Sequence, residues 1–148
     1  MISDEILIAL GYEDDEDDIS YLYNDGGRKA SGRKGSAGDC GCRAMAIATG
    51  KSYDECYKML ADQNHKSCGK RTARNGIFKK DYDKVLNLIG WEWCSAPKFE
   101  GRKARHYDMP SGAVIVSMAK HYAAVIDGVV HDTWDTTEKM VYGYWAKK

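Results

Sequence analysis

Two histidines and three aspartates crowd the stretch 118-MAKHYAAVIDGVVHDTWD-135, around an Asp127-Gly128 pair suited to a tight turn. A histidine backed by a carboxylate is the orienting half of a nucleophilic constellation, because the acid holds the tautomer and stabilises the imidazolium. Strand register decides which histidine and which acid belong together. If Asp127-Gly128 is a two-residue hairpin turn, Ile126 lies opposite Val129, Ala124 opposite His131, Ala123 opposite Asp132 and His121 opposite Trp134. Side chains alternate faces along a strand, so His121, Ala123, Asp132 and Trp134 share one face, while Tyr122, Ala124, His131 and Asp135 take the other. His121 and Asp132 then sit diagonally, roughly 7–8 Å apart at the backbone and within reach of a hydrogen bond. Trp134 is expected to lie against the imidazole.

This pair needs a nucleophile, and Cys40 is the best candidate among the five cysteines. It falls in the first turn of an expected helix, 40-CGCRAMAIAT-49, where unpaired N–H groups and the helix dipole favour a thiolate. Gly38 and Gly41 flank it and leave the sulfur accessible. Cys42 points elsewhere on the same helix and Cys56 lies on an apolar stripe, so both read as small core residues. A zinc site on Cys40, Cys42, His65 and Cys68 is the competing use of these ligands, but the Cys-x-Cys spacing is tighter than zinc sites commonly show. No metal and no cofactor is expected.

The elements that must position these groups are legible as punctuation and periodicity. Residues 19-ISYLYND-25 suit a short strand or an extended lead-in, and 26-GGRKASGRKGSAG-38 is a glycine-rich loop ending at Asp39, a good N-cap type. Gly50 stands where a C-cap glycine is wanted, and Ser52 with Glu55 forms an S-x-x-E capping box for a second helix with Tyr53, Cys56, Tyr57 and Leu60 on one face. A polar stretch, 63-QNHKSCGKRTARNG-76, leads to a third helix at about 78 to 89, with Phe78, Tyr82, Val85, Leu86 and Ile89 as its apolar stripe. Strands are expected at 91–94, 113–118, 121–127, 129–134 and 140–145. Helices precede an antiparallel sheet, so the class is α+β.

The totals bound the rest. A chain of 148 residues makes one domain, and 22 Lys plus Arg against 22 Asp plus Glu leaves no net charge to point at nucleic acid or a membrane. Local charge is uneven: 13-EDDEDD-18 is acidic, and basic residues gather at 28-RKASGRK-34 and 70-KRTARNGIFKK-80. The opening MISDEILIALGY lacks the positive start of a secretory signal, and no apolar run approaches the ~20 residues of a membrane span. Five cysteines, an odd number, argue against a disulfide framework and for a reducing cytoplasm.

At these residues the chain resembles the papain-like cysteine peptidase superfamily: a cysteine opening a helix, a histidine opening a strand, and an acid ending the next strand. The stretch 39-DCGCRAMAIA-48 is similar to the D-C-G-x-x-A-x-A run of small papain-like peptidases. More closely, 23-YNDGGR-28, 38-GDCGCRAMAIATGKSYDE-55, 121-HYAAVIDGVVHDTWD-135 and 141-VYGYW-145 resemble a group of small proteins of bacteriophages and bacteria. That likeness implies a single papain-like domain from about residue 21, with residues 1–20 as an acidic extension. It also implies Cys40 as nucleophile, His121 as general base and Asp132 as its orienter, acting on a peptide or protein substrate as a peptidase, deamidase or isopeptidase. One departure matters. Papain-like enzymes place a glutamine shortly before the cysteine as an oxyanion donor, and 30-ASGRKGSAGD-39 holds none. Asn24, Ser36 and the Cys40–Gly41 backbone are the candidates to replace it, with Trp134 lining the site. The alternative reading is a non-catalytic binding protein that keeps this shape and uses its basic stretches on a host protein or nucleic acid.

Overall fold

The structure, a computed structural model, describes residues 19–33 and 38–148. The acidic run 13–18 and Ser36 lie outside the described residues. The class is α+β. Among the described residues three α-helices, α1 (Cys40–Thr49), α2 (Tyr53–Cys68) and α3 (Lys79–Leu88), accompany six strands: β1 (Tyr21–Tyr23), β2 (Trp91–Ser95), β3 (Ala113–Met118), β4 (His121–Ile126), β5 (Val129–Asp132) and β6 (Gly143–Lys147). The strands form one sheet in the order β1-β5-β4-β3-β6-β2.

The sheet is mixed where an antiparallel one was expected. β1 runs parallel to β5, with Tyr21 opposite Val130 and Tyr23 opposite Asp132, while the other pairs are antiparallel. The reason is connectivity: β1 reaches the sheet edge ahead of three helices rather than through a hairpin, so nothing forces it to turn back. The β4–β5 register matches the one derived from the turn, with Ile126 opposite Val129 and Ala124 opposite His131. Asp127 and Gly128 both hold positive φ, 49° and 81°, which a tight turn of this hand demands of its two central residues. β5 ends at Asp132, so Trp134 is not paired across from His121 within the ladder.

The end of α2, the apolar stripe of α3 and the start of β6 also differ from expectation. α2 runs on through the polar stretch to Cys68, because no breaker intervenes before Gly69, whose left-handed φ of 82° caps it. Its inward polar residues are satisfied by tertiary bonds, Asn64 Nδ2 to the Thr72 and Gly76 carbonyls and Gln63 to Asp81. On α3, Tyr82, Val85 and Leu86 are buried, but Phe78 is exposed rather than part of the stripe. β6 starts at Gly143 instead of residue 140, since the Val141 and Tyr142 amides donate to Ala104 and Ser117 and hold that segment against the neighbouring loop.

Both faces of the sheet are covered. On the helical side Met45, Leu60, Tyr82, Leu86, Ile115 and Trp145 form one core. On the other side Val114, Val116, Val125 and Val130 pack under the 96–112 segment through Ala104 and Met109. This double burial explains the unbroken apolar run of β3. Gly143 sits where β6 passes the ring of Trp93; a Cβ there would collide with that ring and lie 2.9 Å from the Cys94 carbonyl oxygen. Gly143→Ala is therefore expected to lose about 1–3 kcal/mol to overpacking, read as a lowered midpoint in urea unfolding.

Candidate active site

Asp39, Arg43 and Asp132 form a buried ionic chain beneath the start of α1. Asp39 is 1% exposed, Asp132 3% and Arg43 8%. Arg43 Nη1 donates to Asp39 Oδ1, one helical turn back, and Arg43 Nη2 stands 3.6 Å from Asp132 Oδ1. Asp39 Oδ2 also accepts from the Tyr53 hydroxyl at 2.5 Å and pairs with Arg28 Nε at 3.1 Å. Asp39 stands at the N-cap of α1, as expected, but its carboxylate makes no cap hydrogen bond, because two arginines and a tyrosine occupy it.

Asp132 in turn holds His121. Its Oδ2 lies 2.6 Å from His121 Nε2 and 3.5 Å from Thr136 Oγ1, and Oδ1 accepts from the Thr133 amide at 2.7 Å. Nε2 being committed to the acid, Nδ1 is left for the sulfur of Cys40. The His121 ring and the Tyr122 amide both act on that thiol electrostatically. A tight turn through Lys120, held at φ 54°, sets His121 as the first residue of β4.

The electrostatics follow from these contacts. Burial alone would push the Cys40 thiol up, but the hydrogen bond and charge of His121, the Tyr122 amide and the charge of Arg43 bring it below the ordinary thiol value. Burial alone would pull His121 down, yet its hydrogen bonds to Asp132 and Cys40 raise it to about 9. Both shifts favour a thiolate facing an imidazolium. The other buried thiols move the opposite way: burial raises Cys42 strongly, and Cys56 to about 11. Cys42 donates to the Tyr53 carbonyl in the core. All five cysteines are free, and among the described residues no three His, Cys, Asp or Glu side chains converge to hold a metal ion, so the zinc alternative is not assembled.

Neither a protein-family model, nor a curated protein, nor a solved structure matches this chain.

Cys40 and His121 together border a cleft of about 830 Å3, which runs past Gly38, Asn75, Ile77 and Tyr122. The remaining anticipated residues divide. Trp134 is half exposed, with its ring centroid 5.4 Å from that of His121, so it does lie against the imidazole without a ladder partner to place it. Asn24 does not border the cleft: its Oδ1 accepts from Gly26, its Nδ2 faces His131 Nδ1 at 3.3 Å, and its backbone amide donates to the Asp132 carbonyl at 2.9 Å. It anchors the backbone of the acid rather than an oxyanion. The side-chain position of Gly41 faces the core, where an added Cβ would stand 3.2 Å from Tyr82 Cε1, and its carbonyl accepts from the Tyr82 hydroxyl at 2.6 Å. His131 and Asp135 fall away from Cys40 as the alternation required, Asp135 capping Thr137 at the surface. In the basic stretches, Arg33 pairs with Asp54 and lies over Tyr57, Arg71 pairs with Asp62, and Lys79 rests 3.7 Å above the Trp93 ring.

Arg43 is the residue that sequence reasoning missed. Its signal was present: a lone charge in the middle of 40-CGCRAMAIAT-49, four residues after an aspartate. Arg43→Met leaves two buried carboxylates short of a partner, so a loss of about 3–5 kcal/mol is expected in denaturant unfolding. In the fraction that still folds, alkylation of Cys40 should shift to higher pH, because one of the charges lowering its pKa is gone.

Proposed function

We propose that the chain is a papain-like cysteine hydrolase or acyltransferase that attacks an amide, isopeptide or thioester carbonyl of a peptide or protein. The observation that carries this reading is the linear series Cys40, His121, Asp132: a thiol on the first residue of a helix, an imidazole against it, and a buried carboxylate 2.6 Å behind the imidazole. Cys40 attacks as thiolate, His121 gives its proton to the leaving group, and Asp132 keeps the ring in the tautomer and orientation that both steps need. Arg43 and the Thr133 amide fix Asp132 in turn. Helices laid against a sheet, with the nucleophile on one layer and the base on the other, suit the papain-like arrangement. Five free thiols fit a reducing cytoplasm. Among the described residues no helix is long and apolar enough to cross a membrane.

The pH dependence follows with its sign. Below the depressed Cys40 pKa the sulfur is protonated and unreactive; above it the thiolate faces a protonated His121. That proton is lost as pH passes about 9, which removes the general acid. Iodoacetamide alkylation of Cys40 should therefore already proceed below the ordinary thiol value, and turnover of an acyl substrate should fall above pH 9. In His121→Ala the alkylation midpoint should move upward, since burial is then opposed only by the Tyr122 amide and Arg43, with about tenfold less thiolate at low pH for each unit of movement. Alkylation profiles of wild type, Cys40→Ala and His121→Ala, with the modified cysteine identified by mass spectrometry, check this. Equal titration of all five thiols would end the reading.

A further inference from the structure

Attack on a carbonyl places negative charge on its oxygen, and the donors aimed at that charge set much of the rate. Helix α1 provides one such donor. The Cys40 amide is the first N–H of the helix and has no acceptor within it; the first intrahelical bond found there is Arg43 N to the Asp39 carbonyl. No glutamine precedes Cys40 to give a second donor, and the residues lining the cleft offer one.

Several polar groups lining the cleft are already committed. Asn64 gives Nδ2 to the Thr72 carbonyl at 2.7 Å and to the Gly76 carbonyl at 3.1 Å. Thr72 Oγ1 pairs with the Tyr57 hydroxyl and accepts from the Arg74 amide, both at 3.1 Å. The Tyr122 hydroxyl donates to the Ile77 carbonyl at 3.3 Å. Asn75 is different: it is exposed, it borders the cleft with Cys40 and His121, and its carboxamide makes no hydrogen bond among the described residues. Its backbone is fastened beside the nucleophile. A Cβ added at Gly38, two residues before Cys40, would lie 3.8 Å from Asn75 Cα and 3.5 Å from the Arg74 carbonyl oxygen. The two Asn64 bonds bracket the 72–76 turn and hold it in that place, with Gly76 at a φ of 99° that suits glycine.

We propose that the Asn75 side-chain amide and the Cys40 backbone N–H together form the oxyanion hole of this site. The inference rests on the hydrolase reading above and adds the group that reading lacks. The Cys40 thiolate bonds to the carbonyl carbon as the C=O π pair moves to oxygen, and the oxyanion accepts from both donors. Collapse re-forms C=O and expels the leaving group, which takes the His121 proton. Water, deprotonated by His121, then attacks the thioester through a second oxyanion in the same place. This releases the acid and restores thiolate and imidazolium.

Two reagents separate this role from any effect on the thiolate. Acyl transfer from p-nitrophenyl acetate passes through an oxyanion, whereas alkylation by iodoacetamide displaces iodide at a saturated carbon and forms none. In the full-length protein, with Cys40→Ala subtracted as background, Asn75→Ala and Asn75→Asp should each slow acetylation of Cys40 by ~10²–10³-fold. The iodoacetamide rate and its pH midpoint should stay within about twofold of wild type, which the exposed position of Asn75 favours. Unchanged acetylation in both variants overturns the proposal, as does an equal loss of both reactivities, which would put Asn75 on the thiolate instead. If wild-type acetylation does not depend on Cys40 at all, the hydrolase reading falls and takes this inference with it, and that result is distinct from the other two.

Discussion

The structure depends on how four charges are kept under the start of one helix. Asp39 and Asp132 are almost wholly buried, and Arg28 and Arg43 face them. Isolated carboxylates at such depth would be very unfavourable, so each must be matched by a cation with good geometry. Arg43 does this for both at once, which ties the residue before Cys40 to the carboxylate behind His121. With the two arginines the cluster is balanced. Moving a proton from Cys40 to His121 leaves the total unchanged, so the reactive ion pair forms without adding net charge to the interior.

Around this cluster the fold separates two tasks. The sheet presents His121 and Asp132 on adjacent strands, at a distance fixed by backbone pairing and by the positive-φ turns that bound β4. The helical layer delivers Cys40, and Gly41 lets α1 press onto the Tyr82 ring and hydroxyl. Tyr82 of α3 stacks on Tyr122, the residue after the histidine, at 4.4 Å, and its hydroxyl bonds the Gly41 carbonyl, so one side chain links the helix that carries Cys40 to the strand that carries His121. β1 adds a third tie, since Tyr21 and Asn24 both bond the Asp132 carbonyl. The site is therefore braced from three elements, as the proposed catalysis would require of its groups.

The cleft carries a different kind of order. Its floor belongs to the packed core, but its wall over 72–76 is an irregular turn whose carbonyls are taken by Asn64 from α2. The continuation of α2 beyond the apolar stripe thus has a purpose that periodicity does not reveal: its last inward polar residues hold a loop in place. Similar logic explains the late start of β6, whose preceding amides bond the Ala104 carbonyl of the 96–112 segment and the Ser117 carbonyl of β3.

Local signals in the chain determined the helix beginning at Cys40, the Asp127-Gly128 hairpin, the pairing of His121 with Asp132 and the exclusion of His131, because turn chemistry and side-chain alternation act over a few residues. Arg43 was visible as an odd charge in an apolar helix, but not its partners. Tertiary structure alone decided that β1 joins in parallel, that the Asp39 carboxylate at the N-cap serves ion pairs rather than a cap hydrogen bond, that Asn24 braces the acid, and that Asn75 borders the same cleft as Cys40. Each of these joins residues far apart in sequence, and such contacts are selected by which packing buries the apolar faces while leaving no charge unmatched. No periodicity along the chain encodes that competition.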